Sequence, residues 1–340
     1  MNLTFKSTPY RGLLLIGDPH LEGRVPGFRK DDYPRTILNK LRWCLDYAAR
    51  ERLLPCILGD LFHLPRDNPN WLLVKLIQML DQEIVAIYGN HDVHENQINE
   101  HDSMSVVSQV GRFRLLQDDS LFSGLMKTRP VVIGGTPWGQ ALPERFECEG
   151  WTPSSDQETQ SLFLDEPAET EKENDAPLVF WLTHHDLRMP GNEDLGRFKP
   201  VELPGIDVVI NGHIHSRLDP VQAGKTLWLT PGNISRRARS DANRQHTPST
   251  LRINIDADAC NYEYIEVPHL PFEEVFHEAL VEQDENELGP SAFIAGLAEL
   301  QARRTDTGEG LTAFLARNLE QFDDDVAKEI RTLAHEATNV

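Results

Sequence analysis

The stretch DVVINGHIHSR, residues 207–217, takes the apolar run Val208–Ile210 into an Asn-Gly turn that carries two histidines one residue apart. A short apolar run that stops at a turn dipeptide reads as a buried strand reaching its end. Residues i and i+2 of an extended chain face the same side, so His213 and His215 are expected to form a pair at the mouth of that strand. The pattern recurs: GDPH (17–20), GDLFH (59–63), YGNHD (88–92) and LTHHD (182–186) each close an apolar run with Asp, Asn or His. Strand C-termini in an α/β sheet open onto one edge, where side chains from distant parts of the chain converge into a site.

Working outward, GLLLIGD (12–18) and CILGD (56–60) read as strands, and IVAIYGNHD (84–92) as a strand running into a polar turn. Between them, Tyr33 to Arg50 repeats Ile37, Leu38, Leu41, Leu45 and Ala48 at helical spacing, and Pro69 is placed in the first turn of a second helix, NWLLVKLIQML. The later runs VVIGG (131–135), LVFWLTHH (178–185), DVVINGH (207–213), TLWLTPGN (226–233), LRINI (251–255) and YEYIEV (262–267) crowd too closely for a helix between each pair. The second half is therefore strand-rich. From Pro271 the apolar residues, among them Phe293, Leu297, Phe314 and Leu333, fall at the spacing of short amphipathic helices. The expected organisation is a catalytic domain over 1–270, interrupted by an acidic surface insertion at about 153–177, then a helical C-terminal region over 271–340 that packs on its own core or docks a partner.

Of the 340 residues 39% are hydrophobic, ample for a large core, and the run Leu13–Ile16 is far too short for a signal peptide or a membrane span. A cytoplasmic, membrane-free protein is expected. Cys44, Cys56, Cys148 and Cys260 show no paired spacing, which suggests neither a disulfide framework nor a thiolate metal site. The formal charge of −21 argues at first sight against a polyanionic partner, but much of it sits between Asp156 and Asp175 and in the tail from Glu273. Basic residues gather in two loops instead, Arg24, Arg29, Lys30 and Arg35, then Arg236, Arg237, Arg239 and Arg244. These fit either a mixed solvated surface or contacts to phosphate, and Arg236 and Arg237 are the candidate substrate-binding pair.

The five turns offer carboxylates, imidazoles and an amide oxygen without thiolate. That set suits Mn²⁺, Fe or Zn²⁺ better than Ca²⁺ or Mg²⁺. Seven ligands exceed the needs of one ion, whereas two ions about 3.5–4 Å apart use them all and clamp a phosphoryl group during in-line displacement.

The ordered series D-x-H, G-D-x-x-H, G-N-H-D, H-H and G-H-x-H, over residues 17–215, resembles the calcineurin-like metallophosphoesterase superfamily. The resemblance implies an α/β (α+β) fold, a four-layer β-sandwich of two mixed sheets flanked by helices, here with a helical tail. By position it implies one metal on Asp18, His20, Asp60 and His215, the other on Asp60, Asn90, His184 and His213, and His91 as the catalytic group that protonates the leaving alkoxide. His184 rather than His185 is the implied ligand, because the family's ligand directly follows the strand. Protein phosphatases of the superfamily carry G-D-x-x-D-R-G; here His63 and Leu64 stand in place of that Asp and Arg. The form GDLFH is instead similar to SbcD-like DNA repair nuclease subunits, in which the corresponding histidine, His63 here, helps place the scissile phosphate. The expectation is a Mn²⁺-dependent nuclease acting on single-stranded DNA or duplex ends, partnered by an SMC-like ATPase or a second copy of itself. A phosphatase or phosphodiesterase for small molecules or nucleotides is the alternative, and a subunit that serves mainly to bind the ATPase is a third.

Overall fold

The computed structural model describes residues 2–117, 120–148, 150–153, 176–192, 196–256 and 260–277. Most of the expected acidic insertion, and the expected helices beyond residue 277, lie outside these residues. The chain divides at Phe276, and the structure set out below is that of Met1–Phe276.

Two mixed sheets face each other. The six-stranded sheet has the order β14 (Cys260–Glu266), β13 (Ser249–Ile255), β2 (Gly12–Ile16), β3 (Leu53–Leu58), β4 (Ile84–Ile87) and β5 (Phe113–Leu115). Strands β2 to β5 run parallel, while β13 is antiparallel to β2 and β14 to β13. The eight-stranded sheet has the order β11 (Leu218–Ala223), β12 (Thr226–Thr230), β10 (Val208–Asn211), β9 (Leu178–Thr183), β7 (Arg129–Thr136), β6 (Phe122–Met126), β1 (Asn2–Ser7) and β8 (Gly150–Pro153). Its centre, β12-β10-β9-β7, is parallel.

Burial on both faces explains why these strands read as unbroken apolar runs. Along β2, Leu13 and Leu15 pack between the sheets while Leu14 and Ile16 pack toward the helices, the period of two that a pleated strand imposes. In the opposite sheet Phe180, Leu182, Val208 and Ile210 meet Leu15, Leu58 and Ile87 across the interior. Helix α1 (Tyr33–Glu51) covers the outer face of the six-stranded sheet through Ile37, Leu38, Leu41 and Leu45. Asp32 caps it by accepting from the Arg35 amide, and Arg52 ends it in the left-handed conformation. Helices α2 (Asn70–Ile77) and α3 (Ser103–Ser108) complete that layer. On the far side, Leu187, Met189, Leu203 and Ile206 cover Val179, Trp181 and Trp228, so among the described residues the fourth layer is made of connecting segments rather than a long helix.

The sequence reading needs correction in detail. Pro69 is the N-cap of α2 and lies one residue ahead of the helix. Strand β3 begins at Leu53, three residues ahead of the expected start, while β4 ends at Ile87 and gives way to the expected polar turn. Strands β1, β5, β6 and β11 have no long apolar run and are held by pairing with their neighbours. Short strands of that kind draw on tertiary context more than on their own composition.

Candidate metal centre

Strands β2, β3 and β4 of one sheet and β9 and β10 of the other all end at the same edge of the sandwich. Asp18 and His20 follow β2, Asp60 follows β3, Asn90 and His91 follow β4, His184 follows β9, and His213 and His215 follow β10. Three groups of donor atoms, each within 4.8 Å of one another, result: a first of Asp18, His20, Asp60 and His215, a second of Asp60, His184 and His213, and a third of His20, His63 and His91. Asp60 belongs to the first two. Asn90 joins the second group, its Oδ1 lying 3.2 Å from His184 Nε2 and 3.0 Å from His213 Nδ1. In the first group His20 Nε2 lies 3.0 Å from His215 Nε2, and in the second His184 Nε2 lies 3.3 Å from Asp60 Oδ2.

Neighbouring ligands on an ion with bonds of about 2.1 Å sit roughly 3.0–3.4 Å apart. The observed separations are of that size, and the donors are the nitrogens and oxygens that divalent transition metals accept. Asp18 Oδ2 is buried with no hydrogen-bond partner, which a bound cation would relieve. The residues therefore fit a pair of divalent ions.

Asp18 and His20 share one group, but His213 and His215 are not brought together as the extended chain predicts. Asp18 has φ 40°, His20 φ 48°, Asp60 φ 48° and His213 φ 67°, so the turns are left-handed and strained at the positions that present donors. His213 and His215 consequently go to different groups rather than sharing one. Glycines permit the close approach. A Cβ on Gly89 would collide with the Asp60 carboxylate and lie 2.6 Å from His184 Nε2, and Gly59, at φ 96°, also abuts the His184 ring.

Several side chains hold these donors in place. His184 Nδ1 donates to the Leu58 carbonyl at 2.7 Å, which leaves Nε2 free to face Asp60. The Asp18 carboxylate accepts from the His213 amide, and Asp60 from the His91 amide, so each also braces the next loop. Asp92, wholly buried, accepts from the amides of Leu61, Phe62 and Gly89 and ties the β3 turn to the β4 turn. Asn211 does the same between β9 and β10: it accepts from Thr183 Oγ1 and the His185 amide and donates to the carbonyls of His185 and Gly212. Sequence reading assigned neither residue a role, although Asp92 ends the quoted G-N-H-D. Trp138, whose ring lies 5.1 Å from that of His213, was also missed.

Burial and neighbouring charge act in opposition here. Burial raises the Asp18 carboxyl to about 6, assisted by Asp60 and opposed by His184 and His215. Burial also acts to raise Asp60, but His184, His91 and His20 hold it well below the ordinary carboxylate value. His184 is lifted to about 9 by Asp60 and Asp18 in spite of its burial. Burial drives His20 well down and His213 to about 3, so both imidazoles are neutral and present lone pairs.

His91 stands beside the first group, its ring 4.8 Å from that of His20. Its Nδ1 donates to the His63 carbonyl at 2.8 Å and its Nε2 is buried without a partner. His63 stacks on it at 4.9 Å and 27°, and burial together with Arg237 lowers the His63 imidazole to about 2. His185 is turned away: Nε2 donates to the Gln140 carbonyl and the ring packs on Phe198.

The basic clusters are largely engaged internally. Arg236 is buried and donates to the Leu270 carbonyl, so the structure does not leave its guanidinium open for substrate. Arg237 lies near His63 but is held by the Glu22 carboxylate at 2.8 Å. Arg29 is forked onto Asp31 and donates to the Arg236 carbonyl, Lys30 donates to the Glu273 carbonyl, and Arg244 pairs with Glu273. Together Arg29, Lys30, Arg236 and Arg244 fasten the segment around α4 (Phe272–Val275) to the body, a task no local pattern announces.

The family model for calcineurin-like phosphoesterases matches residues 13–217, which span every loop just described except the basic one after Asn233. The chain belongs to that family. Membership makes it a metallophosphoesterase, a metal-dependent hydrolase, and accounts for the donor groups at the shared edge. No curated protein sequence matches the chain. Among solved structures, this metallophosphoesterase is similar to a hypothetical protein from Thermus thermophilus, at 11% identity and a TM-score of 0.39 over 75% of this chain and 99% of that one. No helix among the described residues is long and apolar enough to cross a membrane.

Proposed function

We infer that the chain is a dinuclear phosphodiesterase that cuts DNA with Mn²⁺, in the manner of an SbcD-like repair nuclease. The observation that carries the two-metal reading is the sharing of Asp60 between two donor groups, with His91 Nε2 unpartnered beside them. Asp18, His20, Asp60 and His215 would hold one ion, and Asp60, Asn90, His184 and His213 the other. When bound, the ions supply Lewis-acid stabilisation of the phosphoryl oxygens. The chain's own part is orientation and proton transfer. With Nδ1 committed to the His63 carbonyl, protonated His91 presents Nε2–H to the leaving alkoxide. His63, stacked on His91, fixes the plane of that ring.

The choice of DNA is supported by GDLFH, in which His63 stands for the Asp that supports the catalytic histidine in protein phosphatases and the following Leu64 for the Arg that holds their substrate phosphate. Arg237 is the basic residue placed to approach a phosphate, provided that Glu22 yields it. The test compares circular single-stranded DNA, linear duplex and a phosphomonoester with purified protein and Mn²⁺. DNA is expected to be cut and the monoester spared; brisk monoester hydrolysis with intact DNA would transfer the assignment to a small-molecule phosphatase. An SMC-like ATPase docked through residues 271–340 belongs to the same proposal, and unchanged recovery of such a partner after deletion of 278–340 would remove it.

A further inference from the structure

A cavity of about 530 Å³ has a lining that includes Arg217, His246, Thr247, Ser249, Tyr264 and Glu266. It opens where the turn after β10 meets the ends of β13 and β14. Ser216 and Arg217 follow His215 directly, so part of the cavity wall is built from the same turn that carries a member of the first donor group. The loop after β12 joins the two: the Asn233 amide donates to the His215 carbonyl, and His246 Nε2 donates to the Asn233 carbonyl.

The lining specifies the kind of ligand. One guanidinium and one carboxylate, Arg217 and Glu266, offset each other, and burial lowers His246 to about 4, so its imidazole is neutral. A site for a bare phosphate gathers cations and amides; this one balances charge and mixes donors with acceptors, as the edge of a nucleobase does. The Arg217 guanidinium lies 4.7 Å over the Tyr264 ring, and the Tyr264 hydroxyl is buried without a hydrogen-bond partner. Planar guanidinium and phenol groups are the surfaces on which bases stack.

We propose that this cavity is a base-binding subsite, which receives the nucleobase of the nucleotide joined to the scissile phosphate. The proposal rests on the phosphodiesterase reading above and adds to it a preference for nucleoside over plain alkyl diesters. Arg217 and Thr247 are exposed, so Arg217→Ala and Thr247→Trp remove the stacking partner and fill the cavity without disturbing the core.

The test measures kcat/KM with Mn²⁺ for thymidine 5′- and 3′-(p-nitrophenyl phosphate) against methyl p-nitrophenyl phosphate, which share a leaving group and differ in the nucleoside. Wild type should favour at least one nucleoside ester by about tenfold or more, and both variants should lose that preference. Equal rates in the wild type, or a preference that survives both substitutions, overturns the subsite while the phosphodiesterase reading stands. If no diester is hydrolysed, that reading fails instead, and equilibrium dialysis of thymidine against metal-free protein decides the cavity. Retention by wild type and loss in Thr247→Trp then supports a nucleoside site, and no retention, or displacement by inorganic phosphate, overturns it.

Discussion

Asp60 and His91 lie side by side, the amide of one bonded to the carboxylate of the other, yet their tasks separate cleanly. Asp60→Ala removes the donor common to both groups, so the variant is expected to lose bound metal together with activity, checked by elemental analysis after reconstitution. His91→Asn leaves every donor of the two groups that share Asp60 in place. Metal content should be kept while turnover falls by about 10²–10⁴-fold, the usual contribution of a positioned acid or base. Lys40 on α1 is a different case, a buried ammonium that donates to the Ile234 carbonyl. Burial, then Arg236 and Arg29, hold its pKa at about 7, with Cys44 and Asp31 pulling weakly the other way. An unfolded lysine titrates near 10.4. Between about pH 7 and 10 the unfolded chain therefore binds the extra proton, and this residue's contribution to stability rises with pH across that window. Thermal denaturation of wild type and Lys40→Met from pH 6.5 to 10 should show the wild type gaining on the variant by about 2–4 kcal/mol; a constant difference would mean that Lys40 titrates normally. No pattern in the helix marks Lys40, because its burial is set by the loop after β12, where its partner Ile234 lies 194 residues further along the chain.

The strand-end loops owe their shape to hydrogen bonds that cross between strands. Asn211 alone makes four, joining the exits of β9 and β10, whose ends pair at Thr183 and Asn211. Asn211→Leu leaves those groups buried and unpaired. Unfolding in urea should show a loss of about 2–4 kcal/mol, and metal affinity should drop about 10–100-fold because His184 and His213 lose their support. An unchanged midpoint would show that the strands fix the loops without this residue. The apolar runs made β2, β3, β4, β9, β10 and β12 legible, since strands buried on both faces must be apolar throughout. The turns themselves were legible only as places. Their left-handed residues, Asp18, His20, Asp60 and His213, depart from the extended geometry that composition suggests, and the strain is tolerated because cross-strand bonds such as His20 N to the Asp60 carbonyl over-determine it.

At the scale of the molecule the donor groups draw on both sheets: Asp18, Asp60 and Asn90 extend from one, and His184, His213 and His215 from the other. Ions held there would tie the open edge of the sandwich, so binding should stabilise the whole unit Met1–Phe276. At one hundred times Kd, Mn²⁺ is expected to add about 2.7 kcal/mol. Differential scanning fluorimetry should then show the midpoint rising by about 5–10 °C over protein in EDTA. A midpoint indifferent to chelator would mean that the sheets are not joined by metal. The apolar runs and the polar turns that end them were enough, by themselves, to mark the strands and the edge at which their Asp, Asn and His residues gather, because both rest on local periodicity and side-chain type, whereas the two-sheet class and the sharing of donors came from the resemblance to the calcineurin-like family. Only the tertiary structure decided which histidine faces which carboxylate, that Arg29, Arg236 and Arg244 are spent on fastening Leu270–Phe276 rather than left open to phosphate, and that residues next to His215 line a polar cavity. Those outcomes depend on distances between segments far apart in the chain, and no local pattern of residues encodes them.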